Sequence, residues 1–431
     1  MSLKDRLSRL TSDAPKPSTA DPQQERIAEL RRRLDRAMNR PGSSPPSGVR
    51  TARERTTLLE QIVSGEEAHT PLGSFFVSRT TFKAGDLHGY ARICDLACAS
   101  MEATALLAGC PMVKGASLSD GLFLDTETTG LAGGTGTFPF LIGLGWFEAS
   151  SFVTCQLFAR DFSEERAMLS HLGELASIKQ FLVTFNGKAF DMNLLATRFI
   201  LNRCREALTP LPHIDLLHLS RRILGHRLED ARLSTIEAQV LGVEREGDVP
   251  GFEIPQRYFD WLRKRDGRLL GDIFTHNRLD IISMASLLKY LTDLIDDERA
   301  EEGHHGDLLK AARLLHERGA GEKAGKMLEG LVSSGYGDVA KSARRSLSLL
   351  YKKALRWEEA AGLWQDLVSS DPCDFFAVEE LAKFYEHHTH ELGKASQLVQ
   401  RLLTEAAGLS DEERTSAERR LRRLLDKSAR P

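Results

Sequence analysis

An apolar run that ends in two acids one residue apart is the feature that most constrains this chain. Gly121 to Leu124 runs into Asp125-Thr126-Glu127-Thr128-Thr129-Gly130. In an extended strand residues i and i+2 point to the same face, so Asp125 and Glu127 stand side by side at the strand's end. Two carboxylates that close repel, and one is pushed toward protonation unless something neutralises both. A divalent metal does so, and oxygen donors suit Mg²⁺ or Mn²⁺. A pair of solvated charges beside a turn is the other reading, and the stretch by itself leaves both open.

With 431 residues, the chain is long enough for two or more cores. Its formal net charge of −3 points to no overall affinity for polyanions. Residues 1–57 differ, with 13 Lys and Arg against 7 Asp and Glu. Residues 1–60 read as a mostly disordered basic tail, with Pro-Gly-Ser-Ser-Pro-Pro-Ser at 41–47. One helix is expected inside it, capped by Asp21, opened by Pro22 and stopped by Pro41-Gly42. Its stripe is Ile27, Leu30, Leu34 and Met38, with Arg31, Arg32, Arg33 and Arg36 nearby, which reads as a solvated helix before a partner-binding one. The six cysteines are scattered and Cys94 and Cys98 lack a second pair, so they read as reduced thiols of a cytoplasmic protein. No signal peptide is expected at the start. The longest apolar stretch, Phe138 to Phe147, is too short to span a bilayer, so no membrane partner is expected.

Residues 61–117 read as an N-terminal extension, with a strand from Gly73 and a helix near 100–108. From Gly121 the pattern is α/β. A strand at 121–125, a glycine-rich turn at 130–136 and an apolar run at 138–147 are followed by a returning strand, Phe152 to Phe158. A helix near 163–176 leads to a buried strand, Phe181 to Phe185. Asn186-Gly187 then turns the chain into a helix with Phe190, Leu194, Leu195 and Phe199 on its apolar side. An extended piece at His213-Ile214-Asp215 precedes several helices, the last from about Ile273 to Leu294. From about 304 everything reads as helix, with an internal register: Ala324, Ala360 and Ala395 fall 36 and 35 residues apart. Leu328 and Trp364, and Leu331 and Leu367, share the first offset. Arg356-Trp357-Glu358-Glu359-Ala360 … Leu363-Trp364 … Asp371-Pro372 resembles the tetratricopeptide pattern, whose period is about 34 residues. A plain helical bundle is the alternative.

Candidate companions for Asp125 and Glu127 lie on other element ends. Asp191 sits early in the helix after Asn186-Gly187, where a surface carboxylate is the bland reading. His276 and Asp280, at i and i+4, share a helix face, as an acid and base in a cleft or as an exposed ion pair.

Together these pieces have a familiar order. Leu124-Asp125-Thr126-Glu127-Thr128-Thr129-Gly130, Thr184-Phe185-Asn186-Gly187-Lys188-Ala189-Phe190-Asp191 and His276-Asn277-Arg278-Leu279-Asp280 resemble the DEDD superfamily of 3′–5′ exonucleases. The nearest resemblance is to the YprB-like family, a ribonuclease H-like domain followed by tetratricopeptide repeats. Gly133-Gly134-Thr135-Gly136-Thr137, His213-Ile214-Asp215-Leu216-Leu217 and Val249-Pro250-Gly251 support it. The resemblance implies an α/β ribonuclease H-like domain over 118–297, a mixed sheet flanked by helices, and all-α tetratricopeptide-like repeats over 304–431 that dock a protein partner. It implies phosphodiester hydrolysis from a single-stranded 3′ end, with two Mg²⁺ or Mn²⁺ ions held by Asp125, Glu127, Asp191 and Asp280. His276 would take or orient the attacking water's proton. Thr128, Thr129, Asn186, Lys188 and Asn277 would serve the substrate. The two main subclasses place a tyrosine four residues, or a histidine five, before the last aspartate; here a histidine stands four before Asp280.

Two other classes compete. One is a scaffold that binds nucleic acid without cutting it. The other is a P-loop nucleotidase, which the run 130–136 suggests, but it lacks the Gly-Lys-Ser/Thr ending. Basic segments offer substrate contacts: Arg221, Arg222 and Arg227, then Arg257, Arg263, Lys264, Arg265 and Arg268, interleaved with Tyr258, Phe259 and Trp261.

Overall fold

The computed structural model describes residues 56–130, 136–296, 303–335 and 337–429. The arginine-rich helix expected at 21–41 and the centre of the glycine loop, 131–135, lie outside them. The strands are β1 (Glu66–Thr70), β2 (Gly73–Phe82), β3 (Leu87–His88), β4 (Ala91–Arg92), β5 (Gly121–Thr128), β6 (Pro139–Glu148), β7 (Ser151–Phe158), β8 (Phe181–Thr184) and β9 (His213–Asp215). Seven form one sheet in the order β1-β2-β7-β6-β5-β8-β9, and β3 pairs with β4 apart from it.

β5 is the hinge of the sheet's polarity. It pairs antiparallel with β6 and parallel with β8, which is parallel to β9 in turn. The helices between are α1 (Met101–Ala108), α2 (Glu165–Ser177), α3 (Asp191–Leu201), α4 (Leu216–Ile223), α5 (Ile254–Lys264) and α6 (Gly271–Asp293). Parallel neighbours need crossovers, and α2 and α3 supply them. Both faces of the sheet are covered, which is why β6 and β8 read as continuous apolar runs rather than alternating ones. Leu122 and Leu124 face a core with α2 and α3, whereas Phe123 faces one with α4 and most of α6.

α6 lies unusually close to β6, and two glycines make that possible. A β-carbon on Gly143 would stand 2.2 Å from Asn277 Oδ1, and one on Gly145 would stand 2.4 Å from Ile281 Cγ2. The glycines that interrupt the apolar run thus set the height of the helix above the sheet. Gly143 is the partner of Asp125 in the ladder, so this contact fixes α6 beside the acidic strand end.

Two expectations are corrected. Phe190 is exposed, because it precedes the first turn of α3 in a non-helical conformation, whereas Leu194, Leu195 and Phe199 are buried. Tyr258 and Trp261 are core residues with no base-stacking surface. Tyr258 stacks on Phe140 at 4.1 Å and donates to the Ala159 carbonyl, and Trp261 Nε1 donates to Arg160 O. The arginines beside them are paired: Arg257 with Asp272, Arg263 with Asp260, Arg265 with Asp161 and Arg268 with Asp266.

The C-terminal part is all helix: α7 (His305–Glu317), α8 (Gly321–Ser333), α9 (Gly337–Lys353), α10 (Trp357–Ser370), α11 (Phe375–His387), α12 (Leu392–Glu405) and α13 (Asp411–Ser428). Each packs on the next, an arrangement consistent with helical repeats. Ala324, Ala360 and Ala395 are fully buried in α8, α10 and α12, at equivalent places in successive helix pairs. The apolar cluster under α4 and α6 continues without a break into Leu308, Leu309, Ala312 and Leu315 of α7. Arg227 pairs with the buried Asp307, and Arg222 with Glu317, across the same seam. No helix among the described residues is long and apolar enough to cross a membrane.

Candidate active site

The site is built at the carboxyl end of β5, where the sheet changes from antiparallel to parallel pairing. Open α/β sheets commonly leave a crevice at such a point. Gly121 to Leu124 are buried and Asp125 to Thr128 are half-buried, with a register shift between Glu127 and Thr128. Alternation places Asp125 and Glu127 on the face covered by α6 and turns Thr126 to the other, where its hydroxyl donates to Asp191 Oδ1 at 2.5 Å. That bond ties the start of α3 to β5.

α6 supplies Asn277, His276 and Asp280. Asn277 has no exposed surface. Its Nδ2 donates to Asp125 Oδ2 at 3.0 Å, and its Oδ1 accepts from Gln156 Nε2 at 2.9 Å. Its amide is therefore committed to Asp125 and β7. His276 Nε2 lies 3.5 Å from Asp280 Oδ2 and 3.9 Å from Glu127 Oε1. The sequence pattern thus brings Asp125, Glu127, Asp191, His276 and Asp280 into one cluster.

The remaining expected residues shape its rim. The Thr128 hydroxyl donates to Gly130 O at 2.8 Å, and Thr129 Oγ1 accepts from Phe138 N at 3.0 Å, so both close the neck of the β5–β6 loop. Asn186 adopts φ 67°, a left-handed conformation that asparagine tolerates better than most. Asp215 at the end of β9 holds this turn, accepting from the amides of Asn186 at 2.8 Å and Lys188 at 3.1 Å. The Lys188 side chain is exposed.

Two residues here escaped the sequence reading. Asp248, just before Val249-Pro250-Gly251, has Oδ1 at 2.7 Å from His276 Nδ1. Arg245 is nearly buried, pairs with Asp280, and reaches Glu237 Oε1 at 2.6 Å, Asp248 Oδ2 at 3.2 Å and His276 Nδ1 at 3.3 Å. Only the neighbouring Val-Pro-Gly motif hinted at this loop.

The electrostatics follow from the crowding. Removal from water, then the charges of Asp280 and Asp191, push the Asp125 carboxyl well above its usual range. Glu127 is raised in the same way, by burial first and by Asp125 and Asp280 next. Burial also raises Asp191. For Asp248 burial pushes upward too, but the His276 hydrogen bond and the charges of His276 and Arg245 outweigh it and hold the carboxyl low. The Arg245 guanidinium stands among six carboxyl groups, those of Asp125, Glu127, Asp191, Glu237, Asp248 and Asp280, so acid outnumbers base. Such an all-oxygen donor set fits hard divalent cations.

The fold is that of a ribonuclease H-like domain, of the kind that carries nucleases. Residues 122–292 match the RNase_H superfamily, whose nucleases are hydrolases of nucleic acid that usually use divalent metals. The chain is also similar to the uncharacterized protein YprB of Bacillus subtilis (strain 168), at 37% identity over 320 residues, covering 73% of this chain and 76% of that one. It belongs to the YprB family.

Proposed function

We propose that the chain is a metal-dependent 3′–5′ exonuclease of the DEDD kind, trimming single-stranded nucleic acid with two Mg²⁺ or Mn²⁺ ions. The observation that carries this reading is the gathering of Asp125, Glu127, Asp191, His276 and Asp280 from three elements at the end of β5. The four carboxylates would hold the ions, which when bound lower the pKa of water and neutralise charge at the scissile phosphate. His276 Nδ1 gives its proton to the hydrogen bond with Asp248, which leaves the Nε2 lone pair on the cleft side. Nε2 then accepts the proton of the attacking water. Asn277 orients Asp125, Thr128 and Thr129 bound the pocket for the terminal nucleotide, and Asn186 and Lys188 lie where the backbone enters.

In this reading 61–117 extends the nuclease, 118–297 carries the chemistry, and the tetratricopeptide-like repeats of 304–431 dock a protein partner in the cytoplasm. The Arg245–Asp280 pair favours a second reading, a nucleic-acid scaffold that does not cut, because a guanidinium already neutralises one proposed ligand. Purified protein incubated with end-labelled single-stranded DNA and RNA, with Mg²⁺ or Mn²⁺ and with EDTA, separates the two. Metal-dependent shortening supports the nuclease; retention of full-length strand in a stable complex supports the scaffold.

A further inference from the structure

A second cluster of ligating side chains lies away from the carboxylates, at the seam between α4 and α7. We propose that His226, His304 and Asp307 bind one divalent cation of the Zn²⁺ type there.

Distances are the first argument. His226 Nε2 and His304 Nδ1 each lie 3.5 Å from Asp307 Oδ1, and the three atoms fall within 4.8 Å of one another. A tetrahedral Zn²⁺ with bonds of about 2.0–2.1 Å requires ligand-to-ligand edges of about 3.3–3.4 Å. Two edges of such a tetrahedron are nearly formed.

The proton inventory is the second. His226 Nδ1 lies 2.9 Å from Ile223 O, and a carbonyl can only accept, so Nδ1 carries the proton. In the neutral ring the Nε2 lone pair then faces a carboxylate oxygen. That arrangement is repulsive unless a proton or a cation stands between them. A backbone carbonyl that fixes the outer nitrogen is also the usual second contact of a metal-binding histidine.

Steric room is the third. A β-carbon on Gly306 would stand 2.3 Å from His226 Nε2, so only glycine lets the ring reach this position. Asp307 is fully buried and aimed by the Tyr290 hydroxyl at 2.6 Å and by Arg227 at 2.7 Å and 3.0 Å. Two imidazoles and one carboxylate suit Zn²⁺ or Co²⁺ better than Mg²⁺. The half-exposed His304 leaves a fourth position open to water. Arg227 and the amino end of α7 oppose a cation, and Asp307 offsets them only in part. A tie between the nuclease part and the first repeat helix results.

The test uses full-length, tag-free protein stripped of metal and held in excess Mg²⁺, which occupies all-oxygen sites. Co²⁺ is titrated in and then displaced with Zn²⁺. Wild type should take up one equivalent with the visible bands of four-coordinate Co²⁺, and Zn²⁺ should raise its melting temperature. His226→Gln and His304→Gln should each lose the bands and the thermal shift while keeping the far-UV spectrum. Asp125→Asn should retain both. Bands absent from wild type, or unchanged in the two histidine variants, would overturn the site and leave an imidazolium–carboxylate pair. The readout is independent of nuclease activity.

Discussion

His276 and Asp248 form a pair, Nδ1 to Oδ1 at 2.7 Å, that turns the other imidazole nitrogen toward Glu127 and Asp280. The carboxylate fixes which nitrogen carries the proton and which is free to receive one. His276→Ala is expected to lower turnover by about 10²–10⁴-fold, the usual loss for a missing general base. Asp248→Asn should lower it less and move the pH–rate profile, since it leaves the imidazole in place but removes the charge behind it. His276→Tyr should not rescue at neutral pH, because a phenol titrates near 10. A tyrosine variant close to the wild-type rate would mean that His276 only steers water.

The crowded carboxylates make a stability prediction for metal-free protein. Asp125, Glu127 and Asp191 have folded-state pKa values raised above their ordinary ones, by burial first. Between the ordinary and the raised values the folded state binds more protons than the unfolded state, so stability falls as pH rises through that window. Asp125→Asn keeps an acceptor for Asn277 and removes one charge. It should raise the metal-free melting temperature by roughly 2 °C or more at pH 8, with a smaller gain at pH 5. A gain that does not grow with pH would contradict this origin.

The shared cluster beneath α4, α6 and α7 bears on where the chain can be cut. A chain ended near residue 300 uncovers Ile223, Leu291 and Leu294, and leaves Arg227 without Asp307. It is expected to lose solubility or melt well below the full protein. A chain ended after α8 keeps the first helix pair and should retain both fold and nuclease activity. Equal melting of the two truncations would show that α7 and α8 contribute nothing to the core of the nuclease part.

Much of this was legible in the sequence. The central strands announce themselves because runs such as Phe138 to Phe147 are buried on both faces. Asp125 and Glu127 sit at a strand end, Asp191 at a helix start, and His276 and Asp280 one turn apart within α6, so local spacing fixes their direction. Arg245 and Asp248 did not show, since single charged residues in a loop have no periodicity, and the partner they share with the site, His276, lies on α6 about thirty residues further on. Tyr258 and Trp261 misled for a different reason. An amphipathic helix rich in both rings and arginines has the same pattern whichever face meets the sheet, and only Phe140 decides it. The roles of Gly143 and Gly306 need a neighbour distant in sequence to become visible.

The most direct test of the central claim follows the products of a strand labelled at its 5′ end. Single-stranded oligonucleotide labelled at the 5′ end is incubated with wild type, Asp125→Ala and Asp191→Ala in Mg²⁺ or Mn²⁺. Wild type should give a ladder that shortens one nucleotide at a time from the 3′ end, EDTA should stop it, and both variants should leave the strand intact. Near-normal ladders from either variant, or no shortening by wild type under any metal, would contradict the account.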